Sequence, residues 1–424
     1  MKNRLGSLVL ISAVLSAGAG MAAENSVQSN EIAKQSQPLH VIVSISDQSL
    51  KVYQGTNMIA QSNVSTGKSG NDTPTGVFSI LEKKKFHRSN IYSNAPMPFM
   101  QRLTWSGIAL HASNSVPAYP ASHGCVRLPN SFAPELYKLT KRGAHVVINS
   151  SETAPVPVSH PTLFQPVKPR DATKVAFAGP TSTLLRGTNA MTTAKAETDG
   201  NGSPIKASEP KKYSEKPLRI LITRRTENEL MADVQRLLNE LGYKAGDVDG
   251  YFGPTTAGAI KRFQKIVGLK ETGTVSKKLI SELYRVTAGT AAPTGHIYVR
   301  QGFKPLFDAP MIIRKPEERL GAALYTVAGL DAKTGVASWL KVALKDQPKL
   351  SKKDKKSKKA ETSSFLVMKQ EKPVANVLDR LNVPADIRKK ISERLTHGSS
   401  LAISDHGLGP ETGKGTDFVV LTRG

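Results

Sequence analysis

One segment of the chain combines the residue types that nucleophilic acyl transfer requires. Residues 122–128 read SHGCVRL and contain Cys125, the only cysteine among the 424 residues. A lone thiol cannot form an internal disulfide, and two imidazoles lie near it in the sequence, at His123 and further upstream at His111. An imidazole can lower the pKa of a thiol and accept its proton. The pattern therefore indicates a catalytic cysteine rather than a buried, inert one.

The neighbouring residues supply the other parts of such a site. Gly124 lets the backbone turn towards a substrate, and amides beside the nucleophile are suited to binding an oxyanion. The Ser122 hydroxyl and the Arg127 guanidinium are candidate substrate-binding groups, since a guanidinium matches a carboxylate. Spacing alone leaves open which of His111 and His123 is the base. One cysteine and two histidines lack a fourth ligand, which disfavours a metal site, and no cofactor is expected.

The elements around these residues are predicted to be mostly β. Residues 41–45 and 49–53 have strand patterns, and the turn residues 46–48 between them predict a hairpin. Further strands are expected at 58–65, 76–81 and 145–148, and a short helix at 134–139. Together they predict one domain over residues 39–149.

The first 23 residues are typical of a secretory signal peptide. Lys2 and Arg4 precede a short apolar run at 8–20, and residues 21–23 resemble a cleavage site. The run is too short to span a bilayer, so a mature chain without a transmembrane segment is expected outside the cytoplasm. The formal net charge of +25 favours an anionic polymer or membrane surface there, and disfavours nucleic acid as a partner.

The remaining chain divides by composition. Residues 150–225 are rich in Pro, Ser and Thr, which predicts a flexible linker. Residues 226–286 form a predicted three-helix module, with Thr255 as the N-cap of the second helix. The helices are expected at 229–241, 255–267 and 276–284.

Residues 287–424 are predicted to be an α+β region of unknown fold. Strands are expected within 296–345, and a lysine-rich linker at 346–372, whose charge is best explained as solvated. After it, a helix pair interrupted by Pro384 is expected. Two final strands, at 401–404 and 417–421, are predicted to be joined by a glycine-rich turn. The sequence as a whole therefore predicts a multidomain α+β protein.

The cysteine segment resembles a known enzyme family. Residues 110–114 (LHASN) and 122–128 are similar to the active site of L,D-transpeptidases of the YkuD type, and residues 73–78 (TPTGVF) match a further segment of that family. The resemblance covers residues 39–149. It implies a mostly-β catalytic domain that remodels peptidoglycan in the periplasm.

The resemblance also implies roles for individual residues. Cys125 would attack the stem tetrapeptide after its diaminopimelate and release D-alanine. His111 would transfer the protons, oriented by the backbone carbonyl of Ala112. His123 would shape the site, and the amides of Gly124 and Cys125 would bind the oxyanion.

The acceptor of the acyl group stays open at this stage. A second diaminopimelate amine would give a 3→3 cross-link, an amine of an outer-membrane protein would give a tether, and water would make the enzyme an L,D-carboxypeptidase. An alternative from another class is a non-catalytic wall-binding scaffold with a decayed site. The intact cysteine motif argues against that alternative.

The three-helix module resembles the peptidoglycan-binding domain type 1. The matching positions include residues 234–238 (VQRLL), 241–243 (LGY) and 249–253 (DGYFG). The resemblance implies a module that docks the enzyme on glycan or stem peptide, although aromatic residues at these spacings also fit a hydrophobic core. The candidate contacts are Asp249, Tyr251, Phe252 and Gln264.

Overall fold

The computed structural model describes residues 37–89, 94–167, 213–331, 334–344, 376–413 and 415–422. The predicted signal peptide, the middle of the predicted linker and the lysine-rich segment lie outside these ranges. Within the described ranges, no helix has the length and apolar character needed to cross a membrane.

The secondary structure alternates between strand-rich and helical stretches. The first strands are β1 (Leu39–Ser44), β2 (Ser49–Gln54), β3 (Asn57–Asn63), β4 (Gly76–Ser79), β5 (Glu82–Lys84), β6 (Met100–Arg102), β7 (Ala109–Ala112), β8 (Val126–Leu128) and β9 (His145–Asn149). The later strands are β10 (Val156–Val158), β11 (Leu218–Arg224), β12 (Gly295–Gln301), β13 (Lys304–Ile313), β14 (Ala322–Asp331), β15 (Val336–Leu344), β16 (Leu381–Asn382), β17 (Ser400–Ser404) and β18 (Val420–Leu421). The α-helices are α1 (Ala133–Leu139), α2 (Glu227–Glu240), α3 (Pro254–Ile266), α4 (Lys277–Ala288) and α5 (Ala385–Ser392).

The first sheet has six strands in the order β18-β4-β9-β1-β2-β3. The predicted β1–β2 hairpin is confirmed, because the two strands pair antiparallel from Leu39 opposite Gln54 to Ser44 opposite Ser49. Strand β9 pairs with β1 in parallel. Both faces of β1 are buried, with Val41 and Val43 in one core and Ile42 in another. A central strand covered on both faces is expected to read as a continuous apolar run.

A small four-stranded sheet, in the order β5-β6-β7-β8, carries the cysteine segment. Strands β7 and β8 run parallel and place His111 opposite Arg127. Their apolar residues Leu110 and Val126 share a core with Leu136 of α1. This core fixes the backbone on both sides of the predicted site.

The largest sheet, called the second sheet below, has eight strands in the order β10-β15-β14-β17-β11-β12-β13-β16. It shows that the linker prediction is wrong at both ends of residues 150–225. Strand β10 pairs with β15, and β11 lies between β17 and β12. The sequence of β11, LRILITR, is apolar enough for a buried strand, but the abundant Pro, Ser and Thr elsewhere in the segment hid this signal.

The three-helix module is inserted between two neighbouring strands of the second sheet. It follows Arg224 at the end of β11 and returns at Gly295, which is opposite Arg224 in the β11–β12 pair. The predicted helices are confirmed, and Thr226 closes a capping box with Glu229 at the start of α2. The predicted cap at Thr255 is wrong: Gly253 is the N-cap of α3, and a proline follows it, the residue preferred at the first helical position.

The end of the chain differs from its predicted arrangement. Pro384 does not interrupt a helix pair but precedes α5 as its N-cap, after a short 3₁₀ turn at Val377–Arg380. This position suits a residue with no N–H to donate. The last two strands do not form a hairpin, since β17 belongs to the second sheet and β18 to the first. The chain therefore crosses from one sheet to the other near its end.

The two sheets share a hydrophobic core. Ile42, Val77 and Val147 from the first sheet are in one cluster with Leu221 and Leu324 from the second. The remaining fully or largely buried members of that cluster are Tyr53, Val342, Leu344, Ala402, Phe418 and Val420. The region predicted only as a C-terminal extension thus covers one face of the sheet that contains β1.

Candidate active site

The backbone around Cys125 is held by a serine hydroxyl. Ser122 Oγ donates a 2.5 Å hydrogen bond to the Cys125 carbonyl and accepts a 3.1 Å bond from the Gly124 amide. Gly124 has φ of +108°, and a Cβ there would lie 2.8 Å from Ile108 Cδ1. Only glycine adopts such a conformation at little cost. These constraints fix a tight turn immediately before the sulfur.

A second support comes from the segment that begins at Thr73. The Thr73 hydroxyl accepts a 2.8 Å bond from the Gly67 amide and donates a 2.8 Å bond to the Gly124 carbonyl. Thr73 is 4% exposed, so neither backbone group could turn to water if the hydroxyl were lost. The segment matched at residues 73–78 therefore positions the cysteine turn.

His111 lies at the centre of β7 and has a defined tautomer. Its Nδ1 lies 2.8 Å from the Ala112 carbonyl oxygen, which accepts a hydrogen and so requires Nδ1 to be protonated. The basic nitrogen is therefore Nε2. Burial lowers the pKa of His111 below its usual value, the Ala112 carbonyl opposes that effect, and Arg127 adds to it. The ring is accordingly neutral at neutral pH.

The Cys125 thiol is also neutral in this structure. Sγ donates to the Gly107 carbonyl over 3.4 Å, and burial raises the pKa of the thiol. The Ala109 amide, Arg102 and Arg127 act in the opposite direction. The expectation that imidazole lowers the thiol pKa at rest is wrong, because desolvation is the largest effect here. The thiol must lose its proton as it attacks.

One pocket brings most of the predicted site residues together. Cys125, His111, His123 and Arg127 line it. Spacing had left the choice of base open, and the bond to Ala112 gives His111 a fixed ring orientation that favours it for this role.

The structure corrects two of the predicted roles. Ser122 touches the pocket but is 2% exposed, and its hydroxyl is used within the cysteine turn. Its assignment as a substrate-binding residue is therefore wrong. The Gly124 amide is bonded to that hydroxyl, so its predicted oxyanion role is not supported. This leaves the Cys125 amide as the candidate donor.

Two basic side chains in the pocket, Arg102 and His87, were not predicted. Burial, with Arg102 and Lys84, lowers the pKa of His87, so only Arg102 adds a positive charge at neutral pH. Arg102 Nε donates to Glu82 Oε2 over 3.1 Å, and its Nη2 lies 3.5 Å from His87 Nε2. Arg102 is 9% exposed, an unusual degree of burial for a guanidinium. The signal in the sequence was weak, because an arginine in a short strand has no distinctive spacing. The pocket is therefore more cationic than the sequence indicated.

In the three-helix module, two glutamine side chains each form hydrogen bonds to the loop that follows their helix. Gln235 accepts a 2.9 Å bond from the Gly250 amide and donates to Asp249 Oδ1. Gln264 accepts a 2.9 Å bond from the Gly273 amide and donates to Thr272. Each glutamine thus holds the loop that follows its helix.

The four candidate contacts of the module differ in burial and in the hydrogen bonds that they already make. Gln264 is 2% exposed, so its prediction as a wall contact is wrong. Asp249 Oδ1 is occupied by Gln235 and by the Tyr251 amide. Tyr251 and Phe252 are 67% and 46% exposed, and neither is in the module core. Together with the exposed Asp249, they are the candidates that remain available to a ligand.

No metal centre competes with this interpretation in the described part of the chain. Among those residues, no group of three or more His, Cys, Asp and Glu side chains is arranged to hold a metal ion. The ionisable groups that line the pocket are one thiol, three imidazoles and two guanidiniums.

The fold and the pocket define a mostly-β domain whose pocket is lined by a cysteine, three histidines and two arginines. Residues 38–148 match the model of the YkuD family, the L,D-transpeptidase catalytic domain. Residues 227–283 match the peptidoglycan binding domain model PG_binding_1. The chain thus carries an L,D-transpeptidase catalytic domain and, inserted in its second sheet, a peptidoglycan-binding domain.

Individual relatives match over shorter stretches. A protein of Kitasatospora aureofaciens, described as an uncharacterized protein in the bpoA1 3′ region, is 46% identical over 55 residues, which are 13% of this chain and 47% of the relative. An L,D-transpeptidase from Mycobacterium smegmatis is 20% identical, with 26% of this chain and 58% of that chain covered and a TM-score of 0.25. The L,D-transpeptidase (Yku) of Stackebrandtia nassauensis is 28% identical, with 27% and 57% covered and a TM-score of 0.26. The chain spans about half the length of the curated relative and less than two thirds of these solved chains.

Proposed function

We propose that this protein is an exported L,D-transpeptidase that acts on peptidoglycan stem peptides with Cys125 as its nucleophile. The observation that carries the proposal is the hydrogen bond between His111 Nδ1 and the Ala112 carbonyl. It leaves Nε2 as the basic nitrogen in the pocket that also contains the sulfur. A thiol and a neutral imidazole in one pocket form a general-base pair.

The first half-reaction follows from that pair. Cys125 Sγ attacks the carbonyl carbon that follows diaminopimelate in the tetrapeptide, and the thiol proton passes to His111 Nε2. The Cys125 amide is placed beside the developing oxyanion. The carbon–nitrogen bond to D-alanine then breaks, and the imidazolium returns the proton to the departing amine. A thioester on Cys125 remains.

The second half-reaction reverses these steps with a new amine. An acceptor amine attacks the thioester, His111 takes its proton, and that proton restores the thiol as sulfur leaves. The pocket is suited to the anionic donor, because Arg102 and Arg127 lie around the sulfur and guanidiniums bind carboxylates in a bidentate manner. A second diaminopimelate is the proposed acceptor, which gives a 3→3 cross-link.

The peptidoglycan-binding domain supports the choice of substrate. Tyr251 and Phe252 expose apolar surface on its α2–α3 loop, a feature that marks ligand-binding surfaces. Both ends of the module are fixed by the β11–β12 pair, and Glu229 of α2 accepts a hydrogen bond from Tyr298 of β12. We propose that the module holds the enzyme on the wall, in the periplasm, at a set orientation to the second sheet.

The test is mass analysis of products from a purified disaccharide-tetrapeptide. Wild-type protein is expected to form a 3→3 dimer and free D-alanine, whereas Cys125→Ala forms neither. His111→Gln is expected to lose at least about a hundredfold in rate. His160 bonds Asp379 outside the pocket, so His160→Gln is expected to retain the wild-type rate.

The products also distinguish the other acceptors. Tripeptide without dimer would indicate water, and a conjugate formed only when an outer-membrane protein is added would indicate tethering. Unchanged tetrapeptide, together with no adduct on incubation with a carbapenem, would rule out the enzyme in favour of a non-catalytic scaffold. Any of these three results on folded protein would overturn the 3→3 proposal.

A further inference from the structure

The end of the chain makes direct contact with the catalytic domain. Residues 405–413 and 415–422, here called the C-terminal segment, lead from β17 in the second sheet to β18 in the first. Asp417 of this segment pairs with Arg219 of β11 in the second sheet at 3.3 Å, whereas Arg142 of the catalytic domain donates a 2.8 Å bond to the Gly415 carbonyl. Val419 is a buried member of the catalytic-domain core. The segment is therefore a built part of the domain that contains Cys125.

One side chain of the segment reaches the loop between β6 and β7. The Glu411 carboxylate accepts hydrogen bonds from the backbone amides of Trp105 and Ser106, the latter at 3.0 Å. Within residues 103–108, here called the Trp105 loop, the Thr104 hydroxyl accepts a 2.9 Å bond from the Ile108 amide, and the Leu103 and Thr104 amides donate to the Ile108 carbonyl. Consecutive amides directed at one carboxylate form a strong, charge-assisted contact.

The Trp105 loop in turn forms one side of the cysteine site. The Gly107 carbonyl accepts the hydrogen of Cys125 Sγ at 3.4 Å. Ile108 packs so closely on Gly124 that a Cβ there would lie 2.8 Å from its Cδ1. Directly after the loop, the Ala109 amide favours the thiolate. The position of this loop therefore sets both the packing and the hydrogen bonding of the nucleophile.

From these contacts we infer that Glu411 is a positioning residue for Cys125, acting through the Trp105 loop from the far end of the chain. Its consequence for acyl transfer rests on the proposed function, whereas its consequence for the thiol does not. The charges that influence the thiol are Arg102 and Arg127, and Glu411 is not among them. Glu411 therefore acts by fixing backbone geometry, not through its charge at the sulfur.

Release of the loop should make the Cys125 thiol easier to ionise and at the same time slow its acylation. Water would reach the sulfur, so the thiol would ionise at a lower pH than in the wild type, because burial is what raises its pKa. Acylation would nevertheless slow, since small displacements of a nucleophile reduce the rate strongly. A variant that merely lost stability would not combine easier ionisation with slower acylation while still folded.

Two substitutions at Glu411 test the inference in the full-length chain. Glu411→Gln keeps the shape and one acceptor oxygen, and Glu411→Ala removes both acceptors. Glu215→Gln is the matched control, since Glu215 is exposed and lies before β11. The readouts are the pH profile of Cys125 alkylation by iodoacetamide and the rate of acylation by a carbapenem. Because Cys125 is the only cysteine, the alkylation reports on this thiol alone.

The expected result is a graded one. Acylation should slow by about tenfold in Glu411→Ala, with Glu411→Gln in between, and the alkylation midpoint should move to lower pH in the same order. Wild-type profiles in both variants would overturn the inference, and so would slower acylation with an unshifted midpoint. If the midpoint shifts but wild-type protein leaves the tetrapeptide unchanged, the inference on Glu411 stands and the proposed function fails.

Discussion

The carbonyl oxygen of Val420 occupies the space beside Gly76, 2.1 Å from where a Cβ on Gly76 would lie. Val420 is paired with Val77 in the first sheet, and Leu421 with Gly76 itself. Thr75 and Thr422 continue the contact through their hydroxyls at 2.5 Å. The glycine of the Thr-Pro-Thr-Gly segment thus admits a strand from the far end of the chain.

We expect Gly76→Ala to destabilise the catalytic domain by about 1–3 kcal/mol, because the added methyl collides with backbone that has little freedom to move. Thermal unfolding of the purified protein measures the effect. Gly258→Ala is the control, since its nearest neighbour is the flexible Arg262 side chain at 3.4 Å and alanine favours a helix interior. Equal or higher stability of Gly76→Ala would show that β18 is not closely seated.

The Thr73 hydroxyl gives a second prediction. Thr73→Val keeps the side-chain shape but leaves the Gly67 amide and the Gly124 carbonyl without their partner, at a cost of about 1–3 kcal/mol. Because Gly124 precedes the nucleophile, carbapenem acylation should slow as well. Thr56→Val, at an exposed turn position, should change neither quantity. A variant with wild-type acylation would remove Thr73 from the support of the cysteine turn.

We expect the protein to lose stability in acid because two of its histidines are buried. His40 and His145 are neighbours in the β1–β9 pair and their rings stack 6.3 Å apart. His40 also lies 3.0 Å from Thr326 Oγ1 of the second sheet. Burial and the nearby Arg219 lower the pKa of His40 to about 4 and also lower that of His145. Both rings are therefore neutral in the folded protein.

The direction of this pH effect on the free energy of unfolding follows from proton uptake when the protein unfolds. Above about pH 6.5 both states are neutral at these rings and the free energy of unfolding is unaffected; below it the unfolded chain binds the protons that the folded chain excludes. The free energy of unfolding should fall by up to about 1.4 kcal/mol per pH unit for each ring. Urea unfolding at pH 7.5 and 5.0 measures this slope. His145→Leu should reduce it and the exposed His406→Gln should not; an identical slope in His145→Leu would contradict the prediction.

The exposed aromatic pair of the peptidoglycan-binding domain yields a further prediction. Tyr251→Ser with Phe252→Ser should weaken sedimentation with isolated sacculi by about tenfold, since aromatic side chains contribute much of the energy of binding surfaces. The helices should stay intact, because both residues lie outside the core of the module. Ile266→Ser, at another exposed apolar position of the same module, serves as the control. Sacculus binding at the wild-type level would place the ligand surface elsewhere.

Some features of the fold and of the candidate site depend only on residues that are close together in the sequence. The glycine that turns the chain before Cys125 acts over a few positions, so its role follows from residue type and spacing, whereas the helix cap predicted at Thr255 lies at Gly253. The hairpin of β1 and β2 and the three helices were predictable for the same reason. The roles of Ser122 and Gln264 were not, because burial decides whether a polar side chain meets a ligand or the protein itself.

By itself, the sequence determined the amphipathic helices and predicted the nucleophile and the candidate bases, since these depend on short-range chemistry and periodicity. Only the tertiary structure decided that residues 218–224 are a central strand, that the helical module is an insertion and that Val420 and Leu421 pair with β4 in the first sheet. Glu411 and Trp105 are 306 positions apart. No local pattern encodes such a contact, because it exists only once the two sheets share a core and the segment between β17 and β18 reaches the loop between β6 and β7.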